Sequence, residues 1–255
     1  MTPIHMLWID GELSTLERLS IVSYLRNGHP VRLYTYRPPD NVPGGTSVLD
    51  AREVLPESAL FRTTSAAGYG SWAPFSNVFR YKMLYERGGI WSDADVVCLK
   101  PLTFSENMPY FFSTERLHPS TPGVGASRAT VNCTVIKAPQ GSAVMKDALE
   151  KARSIDVNAA EWAATGGQVL GELVVLHGLN EATLQPSVFC PVDFWSFAEL
   201  ITGIVTLPAN CYAVHFWNEM WRRNFFNKNA QYPPLTLYER LKAYYFETER
   251  QVQLP

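Results

Sequence analysis

Apolar positions follow two rhythms along the first third of the chain. Residues 4–9 form a short apolar run interrupted only by His5, which predicts a buried strand ended by Gly11. Leu13, Leu16, Leu19, Ile21, Val22 and Leu25 then recur at helical spacing up to Asn27-Gly28, a good helix stop. Residues 31–36 alternate Val, Leu and Tyr with Arg and Thr, as a half-buried strand does. Strand, helix, strand in succession predicts a βαβ opening, a parallel sheet and an α/β fold.

Further along, residues 48–54 predict a short third strand and residues 62–73, rich in Gly, Ser, Thr and Ala, a loop. Phe75, Val78, Phe79, Met83 and Leu84 share one side of a predicted helix that stops at Gly88-Gly89. Strands are predicted over 96–99, 130–137 and 212–216. Helices are predicted over 141–153, 165–178 and 235–245. No repeat, low-complexity tract or long linker divides the chain, so residues 1–255 are expected to form a single domain.

Composition narrows the function classes. Charged residues are only 18% of the chain against 46% hydrophobic, which excludes a disordered chain or a charged coiled coil. The net charge is −2, with no long basic run, so no nucleic-acid partner is expected. Trp221-Arg222-Arg223 is the one local basic patch in view. Cys98, Cys133, Cys190 and Cys211 are widely spaced, fit neither a disulfide framework nor a zinc finger, and are expected to be reduced and buried. The N-terminus lacks a signal-peptide pattern and no segment is apolar enough for a membrane span. The expectation is a cytoplasmic protein, at most in peripheral contact with the inner face of a membrane.

Asp93-Ala94-Asp95 carries the most chemistry. Two carboxylates at i and i+2 of an extended segment point to the same side. They repel unless a cation lies between them or water screens them. Two hard oxygen ligands suit Mg²⁺ or Mn²⁺ that also holds a diphosphate. A solvated acidic turn is the plain alternative. The phospho-aspartate pattern of haloacid-dehalogenase-type phosphatases is another. It wants a long buried strand before the motif, where Gly88-Gly89 stands, and a later acidic pair, which does not follow.

The flanks carry a resemblance. Residues 75–95, through Asn77, Arg80 and Gly88-Gly89-Ile90-Trp91 to Asp93-Ala94-Asp95, resemble the DXD sugar-binding region of glycosyltransferase family 32. Tyr212-Ala213-Val214-His215-Phe216-Trp217-Asn218 is similar to the C-terminal segment of that family's α1,4-galactosyltransferase branch, of the globotriaosylceramide synthase type. The opening Ile4-His5-Met6-Leu7-Trp8 is similar to the first strand of these enzymes. Asn132 and Gly166-Gly167-Gln168 sit where members carry N-G-A-F-like and G-P-x-x-L-like segments.

The resemblance implies a GT-A fold, a Rossmann-like mixed sheet flanked by helices. Residues 1–99 would mainly bind the nucleotide sugar. Residues 100–255 would mainly supply the acceptor side and a C-terminal metal-binding segment. It also implies a retaining, metal-dependent transfer of a hexose from a UDP-sugar, such as UDP-galactose, to a surface glycan or glycolipid in polysaccharide biosynthesis. A toxin-like protein glycosyltransferase and a non-catalytic nucleotide-sugar-binding relative are the alternatives. Carried over by residue, Asp95 would bind Mn²⁺ or Mg²⁺. Asp93 would contact ribose, sugar or the metal through water. His215 would be the third ligand, or else a buried hydrogen-bonded histidine. Trp217 and Asn218 would lie near the phosphates. Trp8 would stack on the base or sit in the core. Arg80 and Asn77 would hold donor sugar and phosphate, with Asn77 departing from the family's aspartate. Asp193 is the candidate carboxylate near the sugar. Trp221, Phe225 and Phe226 would shape an acceptor groove or belong to the core.

Overall fold

The computed structural model describes residues 1–66, 68–121, 128–159 and 163–247. The chain opens with β1 (Ile4–Trp8), α1 (Thr15–Arg26), β2 (Val31–Thr35) and β3 (Ser47–Asp50). Then follow α2 (Ala73–Arg87), β4 (Gly89–Ser92), β5 (Val96–Cys98), β6 (Phe111–Arg116), β7 (Ala129–Ala138), α3 (Ala143–Ser154) and α4 (Val169–Leu176). The C-terminal third holds short elements: α5 (Pro186–Phe189), α6 (Glu199–Thr202), β8 (Ala213–His215), α7 (Asn218–Arg223) and α8 (Leu237–Lys242).

Among the described residues, six strands form a mixed sheet in the order β3-β2-β1-β4-β7-β6. The first four run parallel; β7 is antiparallel to both β4 and β6. β5 and β8 make a separate antiparallel pair. Helices and loops cover both faces, which is why β1 reads as nearly continuous apolar sequence. One core packs α1, the β5–β8 pair and the C-terminal helices against one face. The other packs α2, α3 and α4 against the opposite face. The expected class, an α/β mixed sheet flanked by helices, is the one observed.

Local chemistry sets the elements. Ser14 caps α1, accepting from the Leu16 amide, while its own amide donates to Glu17 Oε2 at 2.8 Å. The five apolar positions that predict α2 are all buried. Gly88 ends α2 at φ 64°, where a Cβ would lie 2.5 Å from the Gln140 amide nitrogen. The predicted third strand stops at Asp50, because Asp50 caps a turn of 3-10 helix (Ala51–Glu53). The helix predicted over 165–178 begins as an irregular turn (Ala164–Gln168) kinked at Gly166, and α4 follows. All four cysteines are free and buried. Among the described residues, no helix is long and apolar enough to cross a membrane.

Candidate metal and donor site

The Gly88-Gly89 stop turns the chain from α2 into β4, beside β1. The pairing of β4 with β7 continues past the strand through a 2.9 Å bond from the Asp93 amide to the Thr134 carbonyl. The chain then turns at Ala94-Asp95 into β5. Asp93 and Asp95 therefore lie on a turn, not on the extended segment expected from i, i+2 spacing. Their convergence comes from backbone bonds on either side. β5 pairs with β8 so that Val96 faces His215, and the Phe216 amide donates to the Asp95 carbonyl at 2.9 Å. This long-range pairing carries His215 to the carboxylates.

Asp93, Asp95 and His215 each offer a ligating atom, and these atoms lie within 4.8 Å of one another. His215 Nε2 is 3.2 Å from Asp95 Oδ2. Its Nδ1 faces Thr134 Oγ1 at 3.2 Å and Cys190 Sγ at 3.9 Å. The Trp217 ring lies against the imidazole, with centroids 3.9 Å apart, and its indole N–H donates to the Val192 carbonyl. Trp217 holds a left-handed backbone, φ 55°, a strained conformation for a bulky residue at the exit of β8.

The two carboxylates have different partners. Asp93 Oδ1 accepts from the Trp91 indole N–H at 2.9 Å and forms an ion pair with Arg80, whose Nη1 is also 2.9 Å away. Asp95 Oδ2 accepts from the Asn218 amide at 2.6 Å. Burial raises the Asp93 carboxyl above the usual range, more than Arg80 lowers it. Burial opposes ionisation of Asp95 too, but His215 and the Asn218 amide pull that carboxyl below the usual range. The same ion pair overcomes burial at His215 and raises its pKa well above that of a free imidazole. Two carboxylates and one imidazole form an oxygen-rich donor set suited to Mn²⁺ or Mg²⁺, so the residues fit the expected cation.

Arg80 is not a surface arginine. It is buried over the Trp91 ring, donates to the Cys133 carbonyl and to Ser76, and is ion-paired with Asp93. Asn77 is also buried and donates to Thr165 Oγ1 at 3.0 Å; it touches the kinked segment before α4, against Gly166. Trp8, half-buried at the end of β1, lies beneath Lys228 Nζ, 5.8 Å from the ring centroid. Asp193 is paired with Arg116 at 2.8 Å.

Lys228 did not stand out in the sequence. It forms an ion pair with the fully buried Glu17 at 2.5 Å and donates to Asn218 Oδ1 at 2.9 Å, tying α1 to α7 beside Asp95. The supposed basic patch is not one. Trp221 is buried, its N–H on the Phe216 carbonyl, and Arg222 and Arg223 both bind Glu219. Phe225 is 94% exposed, and Phe226 packs on Phe197 and Trp221 but is still 37% exposed, so both phenylalanines reach solvent while Trp221 does not.

One comparison bears directly on the turn that carries Asp93 and Asp95. Residues 44–114 match the family model "Glycosyltransferase sugar-binding region containing DXD motif". The match contains Asn77, Arg80, Asp93 and Asp95, and it supports glycosyl transfer as the chemistry. No curated protein matches the chain. Among solved structures, the chain is similar to "PaToxG Glycosyltransferase" at 18% identity, over 70% of this chain and 71% of that one, with a TM-score of 0.45. It is similar as well to the apo-form glycosyltransferase GlyE of Streptococcus pneumoniae TIGR4. There identity is 12%, coverage 98% of this chain and 64% of that one, and the TM-score 0.46. The chain thus spans less than two thirds of GlyE's length.

Proposed function

We propose that the chain is a retaining glycosyltransferase that moves a hexose from a UDP-sugar to a hydroxyl of a surface glycan or glycolipid. The expected setting is the cytoplasmic face of a membrane, and the α1,4-galactosyltransferase branch is the nearest pattern. The observation that carries this reading is the convergence of Asp93, Asp95 and His215 from two distant segments.

In this reading Asp95 and His215 hold Mn²⁺ or Mg²⁺, with Asp93 beside them. When bound, the cation neutralises charge on the departing nucleoside diphosphate. Trp8 offers a flat apolar face to the base at the end of β1. Lys228 adds a fixed positive charge next to Asn218, where the phosphates would lie. Trp217 holds the His215 ring in place. Arg80 acts through Asp93: its buried guanidinium, ion-paired to one oxygen, holds the carboxylate in place beside the donor. Asn77, bonded to Thr165, carries no charge to the donor.

The test is UDP release from UDP-glucose, UDP-galactose and UDP-N-acetylglucosamine, with Mn²⁺ or with EDTA. Release that requires Mn²⁺ is expected. Release from none of them, or release indifferent to EDTA, contradicts the reading.

A further inference from the structure

A neutral imidazole ligates a cation through one ring nitrogen while the other carries the proton. At His215 the two nitrogens face different neighbours. Nε2 points to Asp95, 3.2 Å from Oδ2. Nδ1 points to β7, 3.2 Å from Thr134 Oγ1, with Cys190 Sγ farther away at 3.9 Å. The oxygen lies at hydrogen-bond distance, whereas a thiol sulfur is a weak acceptor. That sulfur is also 3.2 Å from Asn132 Nδ2.

Packing does not choose between the nitrogens. The Trp217 ring lies against the imidazole, and an apolar face presses equally on either orientation. Turned over about its Cβ–Cγ bond, the imidazole would put Cδ2 toward Thr134 and Cε1 toward Asp95, and both polar contacts would be lost. Nε2 cannot bond Asp95 and ligate a cation at once, so ligation leaves the Nδ1 side to hold the ring. Thr134 is itself fixed there. It is buried in β7, and its β-branched side chain has few rotamers. Its amide donates to Asn132 Oδ1 at 3.2 Å, and its carbonyl accepts from the Asp93 amide at 2.9 Å. Thr134 thus touches both arms of the site: Asp93 through its backbone and His215 through its side chain. Asp93 follows β4 of the six-stranded sheet, and His215 belongs to the separate β5–β8 pair.

We propose that Thr134 is the positioning residue of the site: its hydroxyl accepts a hydrogen bond from the His215 Nδ1–H and so presents a bare Nε2 to a divalent cation shared with Asp95. This rests on the metal reading above. The hydroxyl does not touch the cation; it acts through the imidazole, as partners on the far side of ligating histidines do. The backbone bond from the Asp93 amide ties the DXD turn to the same residue, so one position on β7 sets both arms.

The test measures Mn²⁺ binding to the full chain, from the loss of the free ion's electron paramagnetic resonance signal, in wild type and in variants. Thr134→Val keeps the branched shape and removes only the hydroxyl. Thr134→Ser keeps the hydroxyl. Thr134→Ala differs from Thr134→Ser by the hydroxyl alone, and that pair decides if thermal melting shows that Thr134→Val does not fold. The expected result is Mn²⁺ affinity within about threefold of wild type in Thr134→Ser and at least about tenfold weaker in Thr134→Val and Thr134→Ala. Affinity within about threefold of wild type in a folded hydroxyl-free variant overturns the proposal. So does an equal loss in Thr134→Ser and Thr134→Ala, which would make the methyl group, and so packing, the cause. Failure of the underlying reading looks different. A wild type that takes up no Mn²⁺, or a His215→Ala variant that binds it as wild type does, removes the metal site itself and the role of Thr134 with it.

Discussion

Arg80 Nη1 lies 2.9 Å from Asp93 Oδ1, beneath the turn that carries both aspartates of the DXD segment. The contact divides the labour of the pair. Asp93 is anchored by a buried guanidinium, and Asp95 is left to His215. Removing Arg80 would strand a largely buried carboxylate and the Cys133 carbonyl together. Breaking a buried pair from one side costs about 3–5 kcal/mol. Arg80→Ala should therefore lose about 3 kcal/mol in urea unfolding. Arg80→Lys should recover less than half, because an ammonium cannot reach Asp93, Ser76 and Cys133 as the planar guanidinium does. A loss below about 0.5 kcal/mol for the alanine variant would mean that Arg80 does not anchor Asp93.

The Gly88-Gly89 step is a steric requirement of the same turn. At Gly88 the backbone is left-handed and the space for a Cβ is filled by the backbone of residues 139–140. Backbone atoms cannot swing aside as a side chain can. Gly88→Ala should lose at least about 2 kcal/mol of stability, from strain and displacement together. Thermal or urea unfolding measures it, and a variant as stable as wild type would refute the close approach.

His5 predicts acid sensitivity. Its ring is buried in β1, stacked on Tyr34 and bonded to the Tyr34 hydroxyl, with Arg32 and Arg87 nearby. Burial first, then those two cations, push its pKa down to about 4 from 6.5. The folded state thus resists a proton that the unfolded chain accepts. The stabilisation is complete above pH 6.5 and is lost as the pH falls toward 4. One pKa unit is worth about 1.4 kcal/mol, so the loss approaches about 3 kcal/mol. In His5→Gln, unfolding free energy measured between pH 7 and pH 4 should fall less steeply by that amount. An unchanged slope would show that His5 titrates normally in the folded protein.

The legibility of these features in the sequence followed their range along the chain. β1 was readable as a short apolar run, and α1 and β2 because each repeats its own period. Asp93 and Asp95 could be singled out by residue type, but their convergence depends on a turn closed by β7 and β8. β6 was missed because two phenylalanines run straight into Ser113, Thr114, Glu115 and Arg116 with no apolar alternation. Ser113 and Glu115 bond to Asn132, so that strand is polar where an ordinary core strand is apolar. Lys228 had no local signal at all, since its partner Glu17 is 211 residues away. Arg80 was readable as part of a motif, but not as a buried group, because the helix pattern alone does not say what covers its polar side.

The central claim is that Asp95 and His215 hold a divalent cation that in turn holds UDP. The most direct measurement is the thermal shift produced by UDP with Mn²⁺ or with EDTA, in wild type, Asp95→Ala and His215→Ala. UDP at one hundred times its dissociation constant should add about 2.7 kcal/mol of stability. The account predicts that shift in wild type with Mn²⁺ alone, and its absence from both variants while each still unfolds cooperatively. A UDP shift that persists in EDTA, or that survives in Asp95→Ala, would contradict it.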